Sequence, residues 1–300
     1  MKTITIFTPT YNRAYCLENL YHSLTNQDTD DFVWLIVDDG STDNTKQLVE
    51  SFINENKITI NYHWKQNGGK HTAHNVGLEL CDTELFVCVD SDDSLKPFAI
   101  SAILNVHSQH KDESLLGYYF RKEYPDGKPM AKLYPSGIDR VGITDLYHRY
   151  LYEGETVIVL RNECIKGYAL PIFEDERFVT EAVFYNDINH IAPMLLCEDS
   201  IYVAEYLPDG YTVNSKKLIV KNPYGSAVYQ LSEAYYDYGL VNRIKHHSQY
   251  MALVKLFSLD KKKLIKYNKT SAMVKILSWF FIVHYISLYK KIKNEFGGEQ

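Results

Sequence analysis

Within its first ninety residues the chain changes hydrophobic period six times, and that alternation limits its folds more than any other feature. Residues 4–8 are a short β-branched run, residues 14–26 place Leu17, Leu20, Tyr21 and Leu24 at helical spacing, and residues 32–37 form a second buried-strand run. Residues 44–53 continue as a helix through Leu48, Val49 and Phe52, 58–63 as a strand, 71–80 as a helix and 85–89 as a fourth strand. Strands alternating with helices of about ten residues imply a largely parallel sheet covered on both faces, which binds its ligands at the carboxyl ends of the strands.

The unusual residues stand at those ends. Thr8-Pro9-Thr10-Tyr11-Asn12-Arg13 follows the first strand, Asp38-Asp39-Gly40-Ser41 the second, Asn67-Gly68-Gly69-Lys70 the third, and Asp90-Ser91-Asp92-Asp93 the fourth. Three carboxylates within four residues repel one another unless protons or a cation neutralise them, and oxygen-only ligands select a hard divalent ion such as Mg2+ or Mn2+. The same acids also suit a solvated turn that caps the helix starting near Pro97, and Asp38-Asp39-Gly40 also suits a turn. A nucleoside diphosphate needs a floor for its base, an acceptor for base or ribose, and a metal on its phosphates. Thr8, Pro9, Thr10 and Tyr11 offer hydroxyls, a rigid turn and an aromatic face, Asp39 an acceptor, and Asp92 with Asp90 a metal site.

Further along, residues 97–110 read as a helix, 115–121 as a fifth strand, 124–142 as a hairpin or insertion, 156–161 and 201–206 as strands, and 179–191 as a helix. Beyond Gly210 the pattern is mostly helical, which divides the chain into a catalytic domain over 1–210 and a basic, mainly helical region over 211–300. Charge follows the same division. Residues 1–210 carry 17 Lys and Arg against 33 Asp and Glu, whereas residues 211–300 carry 15 against 5.

The four strand-end motifs, in this order and spacing, resemble the family 2 glycosyltransferases, and the likeness is close over the first hundred residues. It implies an inverting enzyme with the GT-A nucleotide-diphospho-sugar transferase fold: a Rossmann-like, mostly parallel sheet flanked by helices, here with a helical C-terminal extension. By similarity the Thr8–Arg13 loop, with Tyr11 and Arg13, and Asp39 hold the nucleotide, usually uridine. Asp90 and Ser91 help position the sugar nucleotide, Asp92 binds the metal with Asp90 and Asp93 beside it, and Lys70 approaches the base or phosphates. The implied cofactors are Mn2+ or Mg2+ and a nucleotide-sugar donor, a UDP-sugar above all. The implied acceptor is a saccharide or a lipid-linked saccharide of the kind used to build surface polysaccharides.

The later segment from Pro171 to Glu181 looks like the acidic stretch that precedes the family's acceptor-site helix. Inversion requires a carboxylate to take the acceptor hydroxyl's proton, and Glu181 is the expected base. The family's acidic pair is incomplete here, because Thr180 precedes Glu181 and Ala182 follows it, so Asp175 and Glu174 remain alternatives. A fold that kept the nucleotide pocket without turnover, a non-catalytic binding or scaffold protein, is the rival reading.

Residues 272–289 are apolar or aromatic at fourteen of eighteen positions and are flanked by Lys261, Lys262, Lys263, Lys266 and Lys269 on one side and Lys290, Lys291 and Lys293 on the other. Lys275 and His284 interrupt the stretch, which is shorter than the roughly twenty clean apolar residues of a membrane span. Peripheral contact with an anionic inner leaflet is therefore expected, against packing on the catalytic domain or across a homodimer. Lysines alternating with large aliphatic residues do not make a phosphate-tracking groove, so nucleic acid is not an expected partner. Five widely spaced cysteines without a CxxC pair indicate neither a disulfide framework nor a zinc site. Residues 1–7 lead straight into a strand pattern without a signal-peptide succession, and the expected location is the cytoplasm.

Overall fold

The computed structural model describes residues 2–204, 215–237 and 239–296. They fall into two compact units, Met1–Ala169 with Ile188–Glu205, and Leu170–Asp187 with Tyr206–Gln300. The segment 170–187, counted with the catalytic domain in the sequence reading, thus groups with the helical region.

In the first unit, β1 (Ile4–Thr10), α1 (Leu17–Thr25), β2 (Phe32–Asp38), α2 (Thr45–Glu55), β3 (Ile60–Trp64), α3 (Lys70–Leu80) and β4 (Leu85–Cys88) reproduce the expected alternation. Then come β5 (Ser94–Leu95), α4 (Ala99–Gln109), β6 (Gly117–Glu123), β7 (Arg140–Val141), α5 (Asp145–His148), β8 (Thr156–Arg161), α6 (Asn162–Ile165) and β9 (Met194–Val203). All seven residues of β1 and of β2 are buried, since both strands lie inside the sheet and α1 and α3 cover its two faces. Leu17, Leu20, Tyr21 and Leu24 face one side of the sheet, where the Tyr21 ring stacks on Phe52 at 4.0 Å. On the other side Phe7 stacks on Phe86, and α3 comes so close that a Cβ on Gly77 would lie 2.5 Å from the Phe7 ring.

The strand order is β3-β2-β1-β4-β8-β6-β9-β5, with β7 pairing β9. Strands β3, β2, β1 and β4 are mutually parallel, as expected. The other half is mixed: β8 runs antiparallel to both β4 and β6, β9 is parallel to β6, and β5 and β7 are antiparallel to β9. Residues 124–155 therefore form the long connection of a β6–β8 hairpin. Strand β9 starts at Met194, earlier than the apolar pattern at 201 indicated, because Glu198 and Asp199 break the run. They are exposed where the register between β6 and β9 shifts.

The second unit contains α7 (Ala182–Ile188, whose last residue belongs to the first unit), α8 (Ser215–Lys221), α9 (Pro223–Tyr236), α10 (Leu240–Phe257), α11 (Lys261–Leu264), α12 (Ala272–Ser278) and α13 (Ile282–Phe296). Helix α10 is packed by α9, α12 and α13. The Ser278 hydroxyl donates to the Val274 carbonyl at 2.6 Å, Ser248 donates to the Ser278 carbonyl at 3.2 Å, and Tyr289 donates to Gln249 Oε1 at 3.0 Å. No single helix among the described residues is long and apolar enough to cross a membrane. Helices α12 and α13 are so only as a pair, and they are bent by 67°.

Segment 170–187 is tied to α9 by a buried acid. Pro223 opens α9 with no N–H to satisfy, and the next two N–H groups, of Tyr224 and Gly225, donate to Glu176 Oε1 and Oε2 at 2.6 and 2.7 Å. Burial raises the Glu176 pKa, and the two N–H bonds oppose that shift. Gly225 also has no alternative, since a Cβ there would lie 2.2 Å from the Phe178 carbonyl oxygen. Glu176→Ala strands a buried N–H and is expected to destabilise the protein by about 2 kcal/mol. A thermal melt followed by far-UV circular dichroism checks this, with an unchanged midpoint counting against the cap.

Candidate functional site

Register brings the strand-end loops to one edge of the first unit's sheet. Thr10 pairs with Asp38 at the end of the β1–β2 ladder, the Asp39 N–H donates to the Thr10 carbonyl at 2.8 Å, and the Lys65 N–H donates to the Asp38 carbonyl at 2.9 Å. On the fourth strand the Val89 N–H reaches the Phe7 carbonyl at 2.9 Å, so Asp90 emerges beside Pro9 and Thr10.

In the first loop Thr8 is fully buried, and its hydroxyl accepts from the Trp34 indole at 3.0 Å. The Thr10 hydroxyl is buried without a hydrogen-bond partner among the described residues, a polar group a ligand could satisfy. The ring of Tyr11 is 47% exposed. Asn12 adopts φ +53° and joins the first loop to the second, its Oδ1 accepting from the Thr42 N–H at 2.8 Å and its N–H donating to Ser41 Oγ at 2.8 Å. Arg13 is anchored through its backbone N–H to Thr45 Oγ1 at 3.1 Å, and its guanidinium lies over the Tyr15 ring.

The two neighbouring aspartates of the second loop do different work. Asp38 is structural, with Oδ1 accepting from the Ser41 N–H at 2.7 Å and Oδ2 from the Tyr62 hydroxyl at 2.6 Å. Asp39 is buried and cradled by the third loop. Its oxygens accept from the N–H groups of Gly68 and Gly69 at 2.9 and 2.6 Å and from Lys65 Nζ at 2.6 Å. Lys65 Nζ also donates to the Gln66 carbonyl and to Thr72 Oγ1, each at 2.7 Å. The glycines of Asn67-Gly68-Gly69-Lys70 thus bring backbone donors against a carboxylate. Gly69 adopts φ +93°, and a Cβ on Gly68 would lie 2.6 Å from Thr72 Oγ1.

Lys70, the first residue of α3, reaches Asp90 Oδ1 at 2.8 Å and so joins the third loop to the fourth. Burial works to raise the Asp90 pKa, but the charges of Lys70, Lys122 and Arg13 outweigh it, and the net shift is downward. Asp92 is shifted the other way, by burial and by the neighbouring charge of Asp90. Asp93 is pushed up to about 7, by burial first and then by Asp90, against the Tyr202 hydroxyl that donates to its Oδ2 at 2.6 Å. The same Tyr202 oxygen accepts from the Asp90 N–H at 3.2 Å, and Lys122 Nζ lies 4.5 Å from the centre of the Tyr202 ring. Ser91 is buried between these acids.

The three acids do not close into one cage. Among the described residues their ligand atoms do not form a set lying within 4.8 Å of one another, and Asp90 is paired with Lys70 and Asp93 with Tyr202. Asp92 remains as a half-buried carboxylate whose ionisation is opposed by its surroundings, and its hard oxygens fit a divalent cation. Sequence reasoning missed Lys65, Tyr62, Lys122 and Tyr202. Lys65 stands five positions before Lys70, whereas nothing local marks Tyr202.

The remaining candidates belong to the second unit. Glu174 and Asp175 are exposed, Asp175 with φ +68°. Glu181 is half-buried directly before α7, and its carbonyl accepts from the Tyr185 N–H at 3.1 Å.

Among known proteins, "Glycosyltransferase GlyG" of Streptococcus pneumoniae is 27% identical over 125 residues, which are 41% of this chain and 41% of that one. "Poly(ribitol-phosphate) beta-N-acetylglucosaminyltransferase TarS" of Staphylococcus aureus is 30% identical over 118 residues, 39% of this chain and 21% of that one. The chain thus matches well under two thirds of the length of either relative. The solved structure of TarS residues 1–349 in complex with UDP-GlcNAc superposes with a TM-score of 0.63 at 17% identity, over 100% of this chain and 93% of that one. The mannosyltransferase PcManGT of Pyrobaculum calidifontis, solved with GDP-Man and Mn2+, superposes with a TM-score of 0.53 at 16% identity, over 99% of this chain and 88% of that one. The architecture is the GT-A fold with a helical C-terminal region. Residues 5–162, more than half of the chain and the whole run from β1 to the start of α6, match the model of Glycosyl transferase family 2, and to that family the chain belongs.

Proposed function

We propose that the protein transfers one sugar, with inversion at its anomeric carbon, from a UDP-sugar to a hydroxyl of a saccharide or lipid-linked saccharide, in a divalent-metal-dependent reaction. The observation that carries this reading is the Lys70–Asp90 ion pair beside Asp92. It puts a cationic side chain and a carboxylate suited to a cation at one sheet edge, and a diphosphate needs both kinds of charge. The complexes of TarS with UDP-GlcNAc and of PcManGT with GDP-Man and Mn2+ support it at the level of fold.

Thr10, Tyr11 and Asp39 would hold the nucleoside, with Arg13 near it. Lys65 already donates to Asp39, so a nucleoside contact there is shared with Lys65 or exchanged for it. Lys70, Asp90 and Ser91 would orient the diphosphate and the sugar, and Asp92 would hold the metal with Asp93 behind it. Bound there, a Mn2+ or Mg2+ ion supplies charge neutralisation to the departing diphosphate. Glu181 takes the proton of the acceptor hydroxyl as that oxygen bonds to the anomeric carbon and the bond to the diphosphate oxygen breaks on the opposite face. Asp175 and Glu174 are the alternative bases.

Calorimetric titration of UDP, GDP and dTDP, each with Mn2+ and again with EDTA, tests the donor site without knowledge of the acceptor. UDP binding that needs the metal is the expected result. Absence of binding by all three in both conditions would sink the donor-site reading.

A further inference from the structure

The bend between α12 and α13 displays three consecutive aromatic side chains to solvent, with Trp279 67%, Phe280 78% and Phe281 52% exposed. Met273 and Ile276 on α12 and Val283 on α13, all more than half exposed, extend the same apolar surface. Met273 and Ile276 are three positions apart on α12, and so share a face of it, and the aromatic turn follows directly after the helix ends at Ser278. The opposite face, with Val274, Ser278 and Ile282, is buried, and the Ser248–Ser278 and Tyr289–Gln249 hydrogen bonds fasten both helices to α10. The aromatic corner is therefore carried by packed helices and is not a loose end. So many large apolar groups in one exposed place mark a contact surface.

We propose that this corner docks on a phospholipid bilayer containing anionic lipid, with Trp279, Phe280 and Phe281 in the headgroup layer and α13 lying along it. Helix α13 has 15 residues and α12 has 7. At about 1.5 Å per residue neither reaches across a hydrocarbon core of about 30 Å, and the 67° bend keeps them from adding up to a straight span. Tryptophan favours the membrane interface over both water and hydrocarbon. The charge is complementary to anionic lipid. Beyond Val283 the exposed face of α13 continues through Ser287 to Lys290 and Lys291, and residues 211–300 carry 15 basic against 5 acidic side chains. Each lysine close to an anionic surface adds roughly fivefold in affinity. A second copy of the chain fits the patch less well, because a two-fold interface sets a surface against itself and would bring the lysines of both copies together.

Flotation of the full chain with vesicles tests the proposal. The protein is expected to rise with vesicles containing phosphatidylglycerol, less so in high salt, and not with phosphatidylcholine alone. Trp279→Ser, Phe280→Ser and Phe281→Ser together should lower the partition coefficient on the order of a hundredfold. Should that variant melt early, Lys290→Gln with Lys291→Gln gives an independent reading, an expected loss of about 25-fold on the anionic vesicles alone. The proposal is overturned if the unaltered protein does not float with phosphatidylglycerol vesicles, or if the serine variant folds and floats equally well. It is also overturned if sedimentation equilibrium finds a dimer that the serine substitutions convert to monomer, which would give the patch to a second copy.

Discussion

Asp92→Ala is expected to erase the metal dependence of UDP binding and to lower sugar transfer by about a thousandfold, roughly 4 kcal/mol of lost stabilisation of the leaving diphosphate. The size follows from what surrounds this carboxylate. Asp90 already holds Lys70 through Oδ1, and Asp93 already accepts from Tyr202 through Oδ2, so neither can offer a cation both its oxygens without giving up an existing contact. The contrast with Asp93→Asn sharpens the test. Asparagine keeps an oxygen for the Tyr202 hydroxyl, and the metal dependence should survive that substitution. Calorimetry with Mn2+ and with EDTA reads the first effect, and UDP release from the UDP-sugar that binds reads the second. A variant lacking Asp92 that still needed Mn2+ for UDP would move the metal to another carboxylate.

Glu181→Gln should leave UDP binding unchanged and lower turnover by about a hundred- to ten-thousandfold, the range over which a positioned general base contributes. The amide retains the shape and one acceptor oxygen but cannot take a proton at neutral pH. Binding and turnover are therefore expected to separate in this variant and to fall together for Asp92→Ala. Retained turnover would direct attention to Asp175 and Glu174, both of which are exposed. Glu176, between them and Glu181, is excluded from that role by geometry, since its two oxygens are taken by the start of α9.

The sequence was most legible where apolar runs were long and uninterrupted. Strand β8 was read with its exact ends, and β1 to β4 within about two residues. Strands β5 and β7, of two residues each, are too short to show any period. The early part of β9 was hidden by Glu198 and Asp199, which point to solvent where the ladder is irregular. The candidate site divides in the same way. That the four loops share an edge could be read from the alternation alone, because parallel strands put their carboxyl ends on one side. What each side chain already holds could not be read. Thr8 meets Trp34, Asp39 meets Lys65, and Asp93 meets Tyr202, across 26, 26 and 109 positions of chain. Only the folded register sets such pairs.

The chain leaves the sheet-bearing unit at Leu170, returns at Ile188 to lay down β9, and leaves again after Glu205. Consider a ribosome making it. Once β9 has emerged the sheet can be completed, yet the partners of the excursion have still to emerge: Tyr224 for the Phe173 ring, the first turn of α9 for Glu176, and Glu233 for Asn186. At roughly 5 to 20 residues per second, these partners are made within several seconds after the last sheet residue. Through that interval a strip bearing Phe173, Val179 and Phe184 is without its final partners, and Glu181, the proposed base, lies in the same strip. A chain cut short after 205 would be held permanently in that condition. Loss of transfer in such a shortened protein would report an unfinished fold around the proposed base and would say nothing about membrane attachment.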